Sequence, residues 1–280
     1  MEYTTLCKGL SMPMLGFGTY RLTESDDCSR CVEWALETGY RLIDTAEFYG
    51  NEDAIGKALR HAALPRKELF LMTKLWFTSY APEKAEKALE ESLKNLQTDY
   101  LDLVLLHWPL GDTYGAWRVL EKAVDQGLVR AIGVSNYTCD RLVDLVHFSR
   151  IKPVLNQVEA NLWCQRQPER PWHEKYHVQM QAYAPMGRKR PAALFEDPRL
   201  VGIAADHGKS VRQIMLRFLL QNGIAVIPKS AHQEHIRENF QVFDFTLSDQ
   251  EMALLRSLDQ NLPVIGKPQD PASVEELLSR

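Results

Sequence analysis

The stretch LIDTAEFYGNE, residues 42–52, sets a carboxylate, Asp44, and a phenol, Tyr49, five positions apart directly after an apolar run. Two later apolar runs end in other ionisable residues, LFLMTK in Lys74 and LDLVLLH in His107. A carboxylate keeps a nearby ammonium charged, and an ammonium beside a phenol favours phenolate, which would lower the tyrosine pKa from about 10. An imidazole alongside can donate a hydrogen bond to a substrate oxygen. The four groups suit moving one proton on or off a carbonyl or alcohol oxygen while something else supplies the electrons.

Such groups work together only if the chain brings the ends of its apolar runs to one place. Eight strand-like runs occur: 14–18, 40–44, 69–74, 101–107, 129–135, 153–157, 178–183 and 224–228. Amphipathic stretches separate them, at roughly 26–38, 51–62, 82–97, 115–127, 138–149, 168–175, 198–222 with a break near Gly208, 233–240 and 248–258. Alternation of this kind implies parallel strands with crossover helices, and eight units in this length match a closed (β/α)8 barrel. No G-x-G-x-x-G follows any run, so a Rossmann dinucleotide turn is missing. Counting by twos, Asp44, Lys74, His107, Ser135 and Gln157 each end the inward face of their strand. In a barrel those ends share one rim, where an apolar interior with a few convergent polar groups makes a small-molecule site.

Composition narrows the partners. With 45% hydrophobic and 25% charged residues the chain has an ordinary globular make-up, and its net charge of −4 offers no field for nucleic acid or an anionic membrane. MEYTTLCKGL lacks a basic n-region and an apolar h-region, and no run approaches the roughly 20 residues of a membrane span, so a cytoplasmic location is expected. The five cysteines are odd in number and scattered; Cys28 and Cys31 form a C-x-x-C with no further ligands, so they read as ordinary helix thiols and no metal is expected. No composition shift marks a linker, so residues 1–280 read as a single domain, with 266–280 as a loose C-terminal tail.

The residues at these positions resemble those of the aldo-keto reductases. The likeness runs through LGFGTY (15–20), GYRLIDTAEFYGNEDAIG (39–56), TKLW (73–76), LLHWP (105–109), GVSN (133–136), NQVE (156–159), QAYAP (181–185), IPKS (227–230) and REN (237–239), about 240 residues in order. It implies a (β/α)8 TIM barrel with an N-terminal β-hairpin and extra helices, a monomer, and reduction of small carbonyls, keto-sugars or dicarbonyls by a nicotinamide cofactor. It also implies roles: Tyr49 as general acid, Lys74 and Asp44 as the pair that lowers its pKa, and His107 as the residue orienting the carbonyl. Ser135, Asn136 and Gln157 would hold the nicotinamide carboxamide, with Tyr183 stacked on the ring. Gly18, Thr19 and Tyr20 would meet cofactor or substrate; Lys229 and Ser230 the adenosine phosphate; Glu238 and Asn239 the adenine.

One position departs from the pattern. Where the family usually has an arginine for the 2′-phosphate, this chain has His235. Arginine carries a permanent charge and a bidentate fork, whereas histidine near pH 7 is mostly neutral, so NADPH preference weakens and NADH becomes possible. Lys229, with His232 and His235, still keeps NADPH ahead. Tyr20, Phe48, Trp76 and Trp108 neighbour the site residues and would form an apolar cup around the carbonyl. A short loop after His107 and a short tail after Asn239 imply an open-pocket, bacterial-type member. The RKR run at 188–190 reads as a solvated basic loop or as an approach to the cofactor diphosphate, and His61, His147 and His207 as surface or packing residues. Three rivals remain: a Schiff-base aldolase using Lys74, a metal hydrolase using Asp44 and His107, and a cofactor-sensing regulatory subunit.

Overall fold

The computed structural model describes residues 1–23, 25–265 and 267–279, with the backbone alone at residue 26. Two positions of the expected C-terminal tail, 266 and 280, therefore lie outside the described residues. The chain opens with an antiparallel hairpin of β1 (Tyr3–Cys7) and β2 (Leu10–Pro13). Eight parallel strands follow: β3 (Phe17–Gly18), β4 (Leu42–Asp44), β5 (Phe70–Leu75), β6 (Leu101–Leu106), β7 (Val129–Ser135), β8 (Leu155–Glu159), β9 (Gln179–Tyr183) and β10 (Ala225–Val226). Each pairs with its neighbour in chain order. The two outermost meet through Gly16 N–H to Val226 O at 2.9 Å and Val226 N–H to Met14 O at 2.8 Å, closing the barrel.

Strands walled on both faces read as near-continuous apolar runs, and every residue of β5 and β6 is buried. The first and last strands are shorter than the apolar runs suggest, because the closing seam is held by isolated backbone bonds rather than by a full ladder. Gly18 is needed at that seam: a Cβ there would stand 2.8 Å from the carbonyl oxygen of Ile227.

The helices are α1 (Ser25–Thr38), α2 (Glu52–His61), α3 (Pro82–Asn95), α4 (Thr113–Asp125), α5 (Cys139–Phe148), α6 (Arg170–Lys175), α7 (Pro198–Asp206), α8 (Val211–Gln221), α9 (Gln233–Phe240), α10 (Asp249–Arg256) and α11 (Pro271–Leu278). Glu52 and Asp53 occupy the first turn of α2, where the helix dipole favours them. The break near Gly208 separates α7 from α8, and Ser210 with Gln213 closes a capping box that restarts the helix. Within the C-terminal stretch, α11 buries Leu277, while Val264 and Ile265 donate their backbone N–H groups to the carboxylate of buried Glu159 at 2.8 and 2.7 Å.

Candidate active site

Parallel register carries the predicted residues to one rim: Gly18 lies opposite Asp44, and Ser135 opposite Gln157. His107 follows β6 directly, its N–H bonded to Leu75 O at 3.1 Å. Tyr49 ends a 3-10 turn, Glu47–Tyr49, stopped by left-handed Gly50. Buried Asn51 fixes that loop. Its amide donates to Thr19 O and Leu22 O at 3.0 Å and accepts from the Thr45 hydroxyl at 2.9 Å, so the loops after β3 and β4 hold Tyr20 against Tyr49.

At the centre the Lys74 ammonium, fully buried, bonds both Asp44 oxygens and Thr45 O at 2.8 Å and approaches the Tyr49 hydroxyl at 3.4 Å. The amide of Gln157 donates to Asp44 Oδ1 at 2.8 Å. Burial pushes Asp44 up and Lys74 down, and their mutual contact opposes both shifts. With two short bonds and two further partners, the charged pair is the form this geometry serves.

The expected lowering of the Tyr49 pKa is corrected here. Burial, and next the Asp44 charge, hold the hydroxyl well above the ordinary tyrosine value. Burial is the larger cause and charge balance the lesser: both Asp44 oxygens answer the ammonium at 2.8 Å, while the phenol is its most distant partner at 3.4 Å. Tyr49 therefore keeps its proton. Burial and then the Lys74 charge push His107 well below the usual histidine value, so its imidazole is neutral.

A cavity of about 160 Å3 opens on these groups. Its walls include Asp44, Tyr49, His107, all four expected aromatics, and Gly18, Ser135, Asn136, Gln157 and Tyr183. Phe48 stacks on Trp76 at 3.9 Å, and His107 stands edge-on to Trp76 at 5.0 Å and to Tyr49 at 5.8 Å. Ser135 donates to Gln157 O, and Tyr183 to Asn136 Oδ1 at 2.7 Å, while Asn136 sits in the left-handed region. Lys74 lies behind this wall, and buried Thr19 turns its hydroxyl to Asp44 O at 2.9 Å. Lys229, Ser230, His235, Glu238 and Asn239 do not line the cavity; they gather at the β10–α9 corner, where exposed His232 and His235 rings lie 5.4 Å apart. A larger recess of about 660 Å3 flanks Arg166, Glu169 and His173, away from Tyr49 and Lys74.

Some residues in or behind the wall carried no signal in the sequence. Glu47 accepts from Trp76 N–H at 2.7 Å and from the Ser79 hydroxyl at 2.6 Å, which sets the Trp76 ring. Ile265 and Leu277 reach the wall from the C-terminal segment. The RKR run divides: Arg190 bonds Leu262 O and Gln260, Lys189 is exposed, and Arg188 is half-buried in the cavity wall, so the solvated-loop reading fails for Arg188. Its place in a basic loop alone gave no hint of that.

An eight-stranded barrel whose rim holds a protonated phenol, an ammonium–carboxylate pair and a neutral imidazole is equipped as a carbonyl oxidoreductase. Comparison with known proteins makes the class definite. The model of the aldo/keto reductase family matches residues 14–260, and the chain belongs to that family. It is 37% identical over 266 residues to a glyoxal reductase of Bacillus subtilis (strain 168), covering 95% of each chain. It is 37% identical over 265 residues to a 9,11-endoperoxide prostaglandin H2 reductase of Trypanosoma cruzi (strain CL Brener), covering 94% of each. The crystal structure of a Bombyx mori aldo-keto reductase in complex with NADP superposes with a TM-score of 0.89 at 32% identity, covering 98% of this chain and 97% of that one. The protein is thus an NAD(P)H-dependent oxidoreductase that reduces aldehydes and ketones. The aldolase and sensor readings find no support in these relatives. Among the described residues no group of three or more His, Cys, Asp or Glu side chains is placed to hold a metal ion.

Proposed function

We propose that Tyr49 is the general acid of carbonyl reduction, with Lys74 and Asp44 behind it and His107 beside it, acting on small aldehydes, keto-sugars or dicarbonyls. The observation that carries this is the Lys74 ammonium set between the Asp44 carboxylate and the Tyr49 hydroxyl, just behind the wall of an apolar cup. The carbonyl oxygen takes hydrogen bonds from the Tyr49 hydroxyl and from neutral His107. Nδ1 of His107 is buried without a partner, so placing the proton on Nε2 leaves no buried N–H unmatched. When bound, NAD(P)H supplies hydride to the carbonyl carbon. Tyr49 gives its proton to the oxygen, the alcohol is complete, and Lys74 steadies the phenolate until it regains a proton.

The residues present fit a nicotinamide dinucleotide. Tyr183 offers a ring beside the polar group Ser135, Asn136 and Gln157 for the nicotinamide. At the far corner Asn239 is buried with its amide oxygen lacking any donor, an acceptor suited to an exocyclic amine of adenine, with Glu238 beside it. Lys229, Ser230 and His235 would hold the adenosine phosphate, so NADPH is preferred over NADH, with the margin reduced by His235. The reading takes the protein as a cytoplasmic monomer. Its five cysteines are all unpaired thiols, and among the described residues no helix is long and apolar enough to cross a membrane.

Tyr49→Phe removes one hydroxyl. We expect kcat with methylglyoxal and NADPH to fall about 10³-fold, with NADPH affinity, followed by tryptophan fluorescence, within about twofold. A variant that keeps most of its kcat sinks the assignment. His235→Arg should tighten NADPH by about 1–2 kcal/mol and leave NADH nearly as it was; equal effects on both would show that the side chain does not meet the phosphate.

A further inference from the structure

The wall of the catalytic cavity carries one full charge that the reduction chemistry leaves unused, the guanidinium of Arg188. It is half-buried and packs over the Tyr20 ring, 5.2 Å from its centre. Arg21 approaches the same ring at 5.8 Å. Outside them lies a second recess of about 250 Å3, sharing Tyr20, Trp108, Arg188, Ile265 and Leu277 with the catalytic cavity, so the two are inner and outer chambers of one mouth. The outer chamber carries four cations, Arg21, Arg188, Lys189 and Lys267, against a single carboxylate, Glu276. Among the described residues none of the four takes part in an ion pair.

This arrangement runs against the rest of the molecule, whose net charge is −4. Two guanidinium groups converging on one phenol ring repel each other, and contact with the ring returns only part of what a paired charge would. Arginine stays charged at any working pH, so deprotonation gives no relief. An anion does. A carboxylate or phosphate meets the planar fork with two charge-assisted bonds and neutralises the local excess.

We propose that Arg188 and its neighbouring cations bind an anionic group of the substrate, so that the preferred substrates are short aldehydes or ketones bearing a carboxylate or phosphate at the end away from the carbonyl. This rests on the assignment of Tyr49 and His107 as the reacting end. Tyr20 links the two ends, its ring 4.9 Å from the Tyr49 ring and 5.2 Å from the Arg188 guanidinium, so a short chain spans them. The diphosphate of the dinucleotide shares the same chemistry, and the test separates the two sources.

Succinic semialdehyde and butanal form a matched pair that differs in one carboxylate. With saturating NADPH we expect kcat/KM to favour the charged aldehyde by about tenfold, and the preference to shrink as KCl is raised. Arg188→Gln should cut the ratio by about tenfold through the KM of the charged aldehyde, with NADPH affinity by fluorescence held within about twofold. Equal kcat/KM for the pair in the wild type, at low and high salt, overturns the proposal without need of a variant. So does an Arg188→Gln enzyme that binds NADPH weakly and loses both substrates together, which would give the cation to the dinucleotide. Failure of the wild type to reduce either aldehyde, or methylglyoxal, would instead strike the reductase reading itself.

Discussion

Two aspartates, each on a barrel strand and each almost wholly buried, hold opposite ends of the molecule. Asp102, second residue of β6, stands at the amino end and accepts from Arg130 at 2.9 Å, from Arg66 at 2.8 Å and from Leu71 N–H at 2.9 Å. Both arginines reach solvent, with 24% of the Arg66 side chain and 43% of the Arg130 side chain exposed. Asp44, last residue of β4, has one cation, Lys74, which sees no solvent and borders the Tyr49 hydroxyl. The lower carboxylate staples β5, β6 and β7 with charges that water helps to carry. The upper one keeps its charge in a dry place, which lowers stability and, on the function proposed above, serves the reaction.

The largest difference should come from cutting each pair. Lys74→Met strands a buried carboxylate and should cost about 3–5 kcal/mol, together with nearly all activity. Asp102→Asn should cost about 1–3 kcal/mol, discounted for the exposure of its arginines, and leave kcat per folded molecule within about twofold. Urea unfolding alongside active-site titration reads both quantities. The double variant Asp44→Asn/Lys74→Met sharpens the contrast: removing both charges should regain about 2 kcal/mol of the single-variant loss while activity stays absent. A double variant no more stable than Lys74→Met would mean that the upper pair is a staple like the lower one.

The contrast also explains what could be read from the chain alone. Asp44, Lys74, His107, Ser135 and Gln157 were legible because a strand's period of two and the sharing of one rim are local, geometric rules. Glu47, Arg188 and Glu159 were not, since their partners are backbone groups and rings far away in sequence; Glu159 meets Ile265 across 106 positions. Helix α11 escaped notice because it is short and sits behind a Pro-rich turn; of PASVEELL, Leu277 is the residue it buries. The direction of the Tyr49 shift was misread for a related reason. Sequence places a cation beside the phenol, but only the fold reveals that both oxygens of Asp44 already answer that cation and that burial outweighs the remainder.

The smallest expected effect, and the most direct gauge of the upper field, is the response of stability to acid. His107 on the rim and His173 in α6 are both held below the usual histidine value of 6.5, each chiefly by burial, with the Lys74 charge adding to it at His107. For a base depressed in the folded state, the unfolded chain binds the proton first. Stability is therefore complete above about pH 6.5 and erodes as pH falls below it, by at most about 1.4 kcal/mol per unit for each group. Most carboxylates titrate nearer pH 4, but buried Glu52, raised chiefly by burial, takes up its proton more readily in the folded chain and so opposes the erosion; the histidine share is therefore read from the variants. From about pH 6.5 to 5, urea midpoints of the wild type should fall steadily, and His107→Asn should remove roughly half of the histidine share of that slope. His173→Asn should remove the other half, even though its ring is held by Asn156 and Glu169 O rather than facing the site. If His107→Asn leaves the slope as it was, the ring takes up a proton in the folded state as readily as in water. The rim would then be no drier than the base, and the difference between the two aspartates would reduce to the number of their partners.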